Sequence, residues 1–149
     1  MKLFAFFTLG LVAAEKKRPD TINPEARLEK LQGLVSNCIA DSFFDGPKRH
    51  RMTRKFARLH SIAQNYLDRM GSLDIEEDTD DARINANDPC SCLGGAAGGY
   101  KSFFNRLAEA HGEGPKSRGY RRNEAMHIQR KLLDENLNKH YDCNLPNRN

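Results

Sequence analysis

The clearest pattern of apolar and polar positions lies in the second quarter of the chain. Six apolar residues recur there at alternating spacings of four and three: Met52, Phe56, Leu59, Ala63, Tyr66 and Met70. This spacing predicts an α-helix with one apolar side, because positions three and four residues apart share a helix face. Gly71-Ser72 is expected to end the helix.

A similar pattern predicts a helix just before it. Asn23 is a suitable N-cap, and Pro24 suits the first helical position, where a backbone N–H is not needed. The apolar residues that follow extend towards Asp45-Gly46-Pro47, where the helix is expected to end. They are Leu28, Leu31, Val35, Cys38, Ile39 and Phe43.

Two further helices are predicted in the second half. The third begins near Tyr100 and ends at Gly112, with Phe103, Phe104 and Leu107 on its apolar side. The fourth runs from about Arg122 to His140. The intervening run Gly94–Gly99 is expected to be a flexible connector, since glycine disfavours helix. The sequence shows no strand pattern.

Four cysteines predict two disulfides. Cys90 and Cys92 are separated by one residue and are not expected to pair with each other. Two connectivities remain: Cys38–Cys90 with Cys92–Cys143, or Cys38–Cys92 with Cys90–Cys143. Each disulfide closes a loop of roughly 50 residues, which stabilises a protein by about 4 kcal/mol in the chain-entropy model.

These elements predict an all-α fold. Residues 24–149 are expected to form a single domain, a disulfide-linked four-helix bundle made of two helical hairpins. Helices one and two form one hairpin, and helices three and four form the other. Cys90 and Cys92 are expected in the crossover between the hairpins.

The first 14 residues resemble a secretory signal. Met1-Lys2 is followed by an apolar run and by small residues that end at Ala14, and the run is too short to span a bilayer. Residues 15–23 are interpreted as an N-terminal extension, with 15–18 as a candidate pro-segment or a solvated basic terminus. The protein is therefore expected to be secreted, which agrees with disulfide bonding, and no membrane span is predicted.

The net charge is small, but two neighbouring segments carry opposite charges. The formal net charge of +4 falls to +1 without Lys2 and residues 15–18, so the sequence does not predict a strongly basic protein. Residues 47–72 carry seven basic side chains and one acidic one, whereas residues 73–88 carry seven acidic side chains and one basic one. The acidic segment is expected to fold against the basic helix.

Two basic clusters form the candidate interaction patch for an extracellular protein, a receptor or an acidic polymer; nucleic acid is not an expected partner. The patch comprises Lys48, Arg49, Arg51, Arg54, Lys55, Arg58, Arg118, Arg121 and Arg122. Arg51-x-x-Arg54 and the stretch 118–122 also fit cleavage sites of a prohormone. The helical pattern favours a different interpretation of Arg51-x-x-Arg54, as part of the exposed start of the second predicted helix.

The acidic segment also contains a candidate weak divalent-cation site. Glu77, Asp81, Asn85 and Asp88 fall at ligand positions of an EF-hand-like loop. However, Ala82 stands where the sharp turn needs glycine, and Asp88 is shorter than the usual bidentate glutamate. The expected roles of this segment are a solvated loop or a partner for the basic helix.

No catalytic constellation, cofactor motif or complete metal-ligand motif is found, so an enzyme is not predicted. The leading hypothesis is a secreted, hormone-, cytokine- or effector-like factor that acts by extracellular binding. The alternatives are a prohormone and a carrier of a small hydrophobic ligand. The carrier hypothesis depends on aromatic and methionine side chains that also suit an ordinary core: Phe43, Phe56, Tyr66, Met70, Phe103, Phe104 and Met126.

Overall fold

A computed structural model describes residues 20–40, 46–77, 84, 88–113, 120–141 and 143–145. These residues are mostly helical and carry two disulfides. The elements, in chain order, are β1 (Thr21–Ile22), α1 (Pro24–Ala40), α2 (Gly46–Met70), β2 (Ile75–Glu76), α3 (Pro89–Ala110), α4 (Tyr120–Lys131), a π-helical segment (Leu132–Asn138) and α5 (Lys139–Tyr141).

Helix α1 begins as the sequence predicts. Asn23 Oδ1 accepts hydrogen bonds from the backbone N–H groups of Glu25 and Ala26, at 3.0 and 3.2 Å, which satisfies two of the free donors at the helix start. The apolar stripe of α1 is buried from Leu28 to Ile39. Phe43 and the predicted end near Asp45 lie outside the described residues.

Helix α2 is present as the apolar spacing predicts. It begins at Gly46, before the first residue of its apolar stripe. Five of the six spaced residues are buried, and Met70 is half-buried. Gly71 ends the helix in a left-handed conformation, with φ of 96°, and its N–H donates to Leu67 O at 2.8 Å. Glycine adopts this conformation without strain.

The predicted flexible connector is wrong. Gly94–Gly99 lies inside α3, which begins at Pro89 rather than near Tyr100. Asp88 caps this helix, because its Oδ1 accepts from the Cys90 N–H at 3.0 Å and Pro89 occupies the first turn. The missing side chains make room for neighbouring segments, since a Cβ at Gly99 would lie 2.6 Å from Leu31 of α1.

The glycines of α3 allow neighbouring segments to pack closely against this helix. Helix α1 packs against α3 and α2, while α2 also packs against α3 and α4. Gly95 receives Ile84, and Gly94 receives Leu145, at would-be Cβ distances of 2.6 and 2.7 Å. Close approach to a glycine-lined face therefore compensates for the low helix propensity of these residues.

The disulfides connect Cys38 with Cys92 and Cys90 with Cys143, the second of the two predicted connectivities. Their Cα–Cα distances are 5.7 and 5.3 Å. Contrary to the prediction, Cys90 and Cys92 lie in the first turn of α3 and not in a crossover. The first disulfide joins α1 to α3, and the second joins the segment after α5 to the start of α3.

The predicted fourth helix is present but not uniform. Helix α4, the π-helical segment and α5 follow one another without a gap from Tyr120 to Tyr141. The π-helical segment buries Leu132, Leu133 and Leu137, and also Asn136, whose side chain donates to Lys131 O at 3.4 Å. Beyond α5, the Cys143 N–H donates to Leu137 O at 3.3 Å.

A short antiparallel pair, which the sequence did not predict, joins two segments. Thr21 pairs with Glu76, and Ile22 pairs with Ile75. Strands of two residues are too short to show an alternating pattern. Because β1 lies within residues 15–23, the C-terminal part of the predicted extension is paired to the helical domain.

The acidic segment was predicted to fold against the basic helix, α2. Its described carboxylates Glu76 and Glu77 instead pair with other helices. Glu77 pairs with Lys30 of α1 at 2.7 Å, and Glu76 pairs with Arg106 of α3. Neither carboxylate pairs with α2, and residues 78–83 and 85–87 lie outside the described residues. Across the described ranges, no helix is both long enough and apolar enough to span a membrane.

Candidate functional site

The exposed side of α2 carries four cations on one face. Arg51, Arg54, Lys55 and Arg58 follow one another at intervals of three, one and three residues, so they project from the same side over two turns. We call these four residues the cationic face. Together with Pro47 and His50 they line an open depression of about 580 Å³.

Few carboxylates neutralise the cationic face. Arg58 pairs with Glu124 of α4 at 3.3 Å, with 66% of the Arg58 side chain exposed. Among the described residues, Arg51, Arg54 and Lys55 have no ion-pair partner within 4 Å. The described residues that line the depression include no carboxylate. Counted over the described residues alone, this face therefore carries a net positive charge.

The cationic face continues towards the C-terminal helix. Arg51 and Lys55 also line a second, smaller depression of about 290 Å³ with Glu135 and Lys139. Lys139 thus adds a fifth cation from a different element. Glu135 is the acidic residue at this edge of the surface.

Three other members of the predicted interaction patch lie elsewhere in the described structure. Lys48 lies over the Tyr141 ring, 5.2 Å from its centroid. Arg49 is half-buried and lines a groove between α1 and α2. Arg122 of α4 is only 4% exposed. Arg118 and the side chain of Arg121 lie outside the described residues.

The groove between α1 and α2 has a volume of about 320 Å³ and is open on one side. Its apolar walls are formed by Val35 and Ile39 of α1 and by Phe56 and Ala57 of α2. Small polar residues, including Ser36 and Thr53, complete the walls. The groove exists because small side chains on two adjacent helices leave space between them.

A partly buried polar pair lies at one end of the groove. His60 Nδ1 is 2.6 Å from Tyr100 Oη, and the two rings meet edge to face. Burial lowers the pKa of His60 below its usual value. Burial also raises the pKa of Tyr100, and Arg27 partly opposes this rise. Both side chains are therefore neutral near pH 7.

Four members of the predicted interaction patch form the cationic face, whereas the groove was not predicted. The groove depends on how α1 and α2 approach each other and on Tyr100, which comes from α3. Of the side chains cited for an apolar carrier, Tyr66, Phe103 and Phe104 fill the core, whereas Phe56 lines the groove.

The predicted divalent-cation ligands are not brought together in the described structure. Glu77 pairs with Lys30, and Asp88 caps α3. Asp81 and Asn85 lie outside the described residues. Within the described ranges, no group of three or more His, Cys, Asp or Glu side chains could hold a metal ion.

All four cysteines are paired, so none offers a nucleophilic thiol. No protein-family model matches this chain, and no curated protein or solved structure shows significant similarity to it.

Proposed function

We propose that this protein acts outside the cell by binding, as a hormone-, cytokine- or effector-like factor. Its contact surface is the cationic face of α2, and its partner is an acidic surface of another extracellular protein. The observation that carries this proposal is the group Arg51, Arg54 and Lys55, which has no carboxylate partner among the described residues.

Two features support an extracellular location. Disulfides form and persist in oxidising compartments, and this chain has two of them. The sequence pattern of residues 1–14 is that of a secretory signal. A secreted product that retains both disulfides is therefore part of the proposal.

The cationic face is arranged at the expense of helix stability. Arg51 and Lys55 are four residues apart, and so are Arg54 and Arg58. Like charges at this spacing destabilise a helix by about 0.2–0.5 kcal/mol per pair. An acidic partner would remove this repulsion, so the same residues that weaken the free helix would strengthen the complex.

The size of the surface favours a protein partner over a polymer. Arg51 to Arg58 spans about 10 Å along the helix axis, at 1.5 Å per residue. A compact group of carboxylates matches this length, whereas a long polyanion gains affinity from a more extended row of cations. The depression lined by Pro47 and His50 makes this surface concave, so a partner must match its shape as well as its charge.

The scaffold suits presentation of a fixed surface. In this proposal the four helices form a bundle-like domain of two hairpins, and the disulfides fix α1 and the C-terminal segment to α3. Arg51 and Arg54, which also fit a convertase site, lie inside α2. Cleavage there would require the helix to unfold locally, so the proposed active form contains an intact α2.

The test uses the secreted full chain with defined acidic probes. Binding of poly-L-glutamate and of a heparin-derived oligosaccharide is measured by calorimetry near physiological salt. The test variant is Arg51→Gln/Arg54→Gln/Lys55→Gln. The matched control, Arg69→Gln/Arg130→Gln/Lys131→Gln, removes the same charge from exposed positions elsewhere.

The proposal predicts that the test variant binds poly-L-glutamate roughly tenfold more weakly, while the control changes little. Equal weakening of both variants would show that net charge, and not the cationic face, governs binding. If only the oligosaccharide bound in a manner that depends on this face, the partner would be a polymer instead. Intact mass of the secreted product tests the signal and the disulfides together.

A further inference from the structure

The smaller depression beside the cationic face is lined by cations from two separate parts of the chain. Arg51 and Lys55 lie about one turn apart on α2, and Lys139 is the first residue of α5. The depression has a volume of about 290 Å³. It is therefore a small space that three cationic side chains share, and not only a row of charges along one helix.

The π-helical segment keeps Lys139 apart from Glu135. In an α-helix, a glutamate four residues before a lysine has the favourable order for an ion pair. Here the Lys139 N–H donates to Asp134 O, five residues back, as in a π-helix, and also to Asn136 O. Among the described residues, neither Glu135 nor Lys139 has an ion-pair partner within 4 Å. The ammonium group of Lys139 can therefore contact a ligand, and π-helical turns are frequent at functional sites.

The lining residues define the charge and the donors that a ligand would meet. Over the described residues, three cations and the Glu135 carboxylate give this depression a net charge of +2. Guanidinium and ammonium groups are hydrogen-bond donors only. A carboxylate brings a single negative charge, whereas a phosphate monoester carries about −1.5 to −2 charges at pH 7 and three strong acceptor oxygens. The phosphate thus matches both the net charge and the number of cations.

We infer that this depression binds a phosphate monoester on the acidic protein partner, with its oxygens directed at Arg51, Lys55 and Lys139. The inference rests on the proposed function, because the rest of the partner's acidic surface lies against the cationic face. Arg51 and Lys55 line both depressions, so the phosphate extends the same contact. Glu135 opposes the phosphate, which allows a test in the opposite direction.

Three short peptides test the inference on the full disulfide-bonded chain. Each has a pair of glutamates on either side of a central residue, which is phosphotyrosine, sulfotyrosine or glutamate. Sulfotyrosine has the same ring and a tetrahedral ester with only one negative charge. Binding is measured by calorimetry near neutral pH and physiological salt. The phosphotyrosine peptide is expected to bind roughly tenfold more tightly than either of the others.

Two variants locate the phosphate. Lys139→Gln removes the cation of α5 and is expected to abolish most of the preference for the phosphotyrosine peptide. Glu135→Gln removes the opposing carboxylate and is expected to increase this preference severalfold. The matched controls, Lys131→Gln and Glu109→Gln, make the same changes at exposed positions of α4 and α3 and should leave the preference unchanged.

Equal affinity of the wild type for the phosphotyrosine and sulfotyrosine peptides would overturn the inference. A full preference for phosphotyrosine in Lys139→Gln would also overturn it. Poly-L-glutamate is titrated in parallel, because its binding tests the cationic face without a phosphate. Poly-L-glutamate binding without a phosphate preference would overturn this inference alone, whereas absence of all binding would overturn the proposed function as well.

Discussion

Gly99 of α3 packs directly against Leu31 of α1. A Cβ at position 99 would lie 2.6 Å from Leu31 Cδ2 and 3.2 Å from Arg27 Nη2. Leu31 is 0% exposed and is enclosed by the core, so it cannot swing out into solvent. The absence of a side chain at Gly99 therefore sets how closely the two helices approach.

This contact predicts opposite effects at two adjacent glycines. Gly98 is exposed, and a Cβ there would meet nothing within 4 Å, so Gly98→Ala should stabilise the protein by about 1 kcal/mol through helix propensity. Gly99→Ala gains the same propensity but overpacks the core, which costs about 1–3 kcal/mol. A net loss of about 1 kcal/mol is expected. Urea unfolding measures both, and equal stabilisation would contradict the packing argument.

Removal of the Cys90–Cys143 disulfide should loosen the C-terminal segment. The linked residues are 53 positions apart, for which the chain-entropy model gives about 4 kcal/mol. Cys90→Ala/Cys143→Ala is expected to lose most of this free energy and the protection of residues 143–145 from hydrogen exchange. Cys38→Ala/Cys92→Ala should lose more, because both of those residues are 1% exposed and leave a void in the core. A variant without Cys90–Cys143 that unfolds at the wild-type urea concentration would refute the role assigned to this disulfide.

His60 should make the folded state sensitive to acid. Its pKa is lowered by burial in the folded protein, whereas the unfolded chain has the ordinary value of about 6.5. The unfolded state therefore binds more protons below that pH. The stability contribution is fully present above pH 6.5 and is lost as the pH falls towards the folded pKa.

Unfolding free energies from pH 7.5 to 5 check this expectation. His60→Gln should lose the extra pH dependence, although it also disturbs the hydrogen bond with Tyr100. His127→Gln, which removes an exposed histidine, should retain the wild-type slope. An identical slope in the wild type and His60→Gln would show that His60 does not contribute.

The cationic face predicts a conflict between stability and binding. Arg54→Glu replaces the repulsion with Arg58 by an attraction in the favourable order along the helix, and it should raise the free energy of unfolding by about 0.5 kcal/mol. Arg54→Gln should give about half of this gain. Both should bind poly-L-glutamate more weakly. Lower stability in both variants would contradict the view that these charges weaken the helix.

The sequence was informative where local chemistry decided the structure. Asn23 capped α1 as predicted, and the spacing of the apolar residues in α2 identified its buried face. The prediction of a flexible connector at Gly94–Gly99 was wrong. Helix propensity describes an isolated segment, whereas the glycine-lined face of α3 is stabilised by its neighbours. The β1–β2 pair and the π-helical segment leave no periodic signal of their own.

The disulfide connectivity could not be predicted because α3 was expected to begin near Tyr100, and not at Pro89. Positions two apart on an α-helix point roughly 200° from each other, so Cys90 and Cys92 face different sides of α3. Cys92 is 1% exposed and lies on the buried face with Ala96, Gly99 and Phe103, whereas Cys90 is half-buried. Once residues 89–99 are helical, Cys92 faces the core, as does Cys38 of α1, and the pairing follows.

Of the two candidate surfaces, only the cationic face could be predicted from spacing within one helix. Proximity in sequence is a weaker guide, since the predicted patch included Arg122, which is only 4% exposed. The groove needs three helices in contact, with Tyr100 supplied by α3. Such a site is a property of packing and not of any one segment.

The proposed contact between the cationic face and an acidic partner can be mapped residue by residue. Amide chemical shifts of the ¹⁵N-labelled, disulfide-bonded protein are recorded during titration with poly-L-glutamate. The largest shifts are expected at Arg51, Arg54, Lys55 and Arg58, with little change at Arg130 and Lys131. Largest shifts around Arg130 and Lys131, or shifts spread evenly over all exposed basic residues, would contradict the claim.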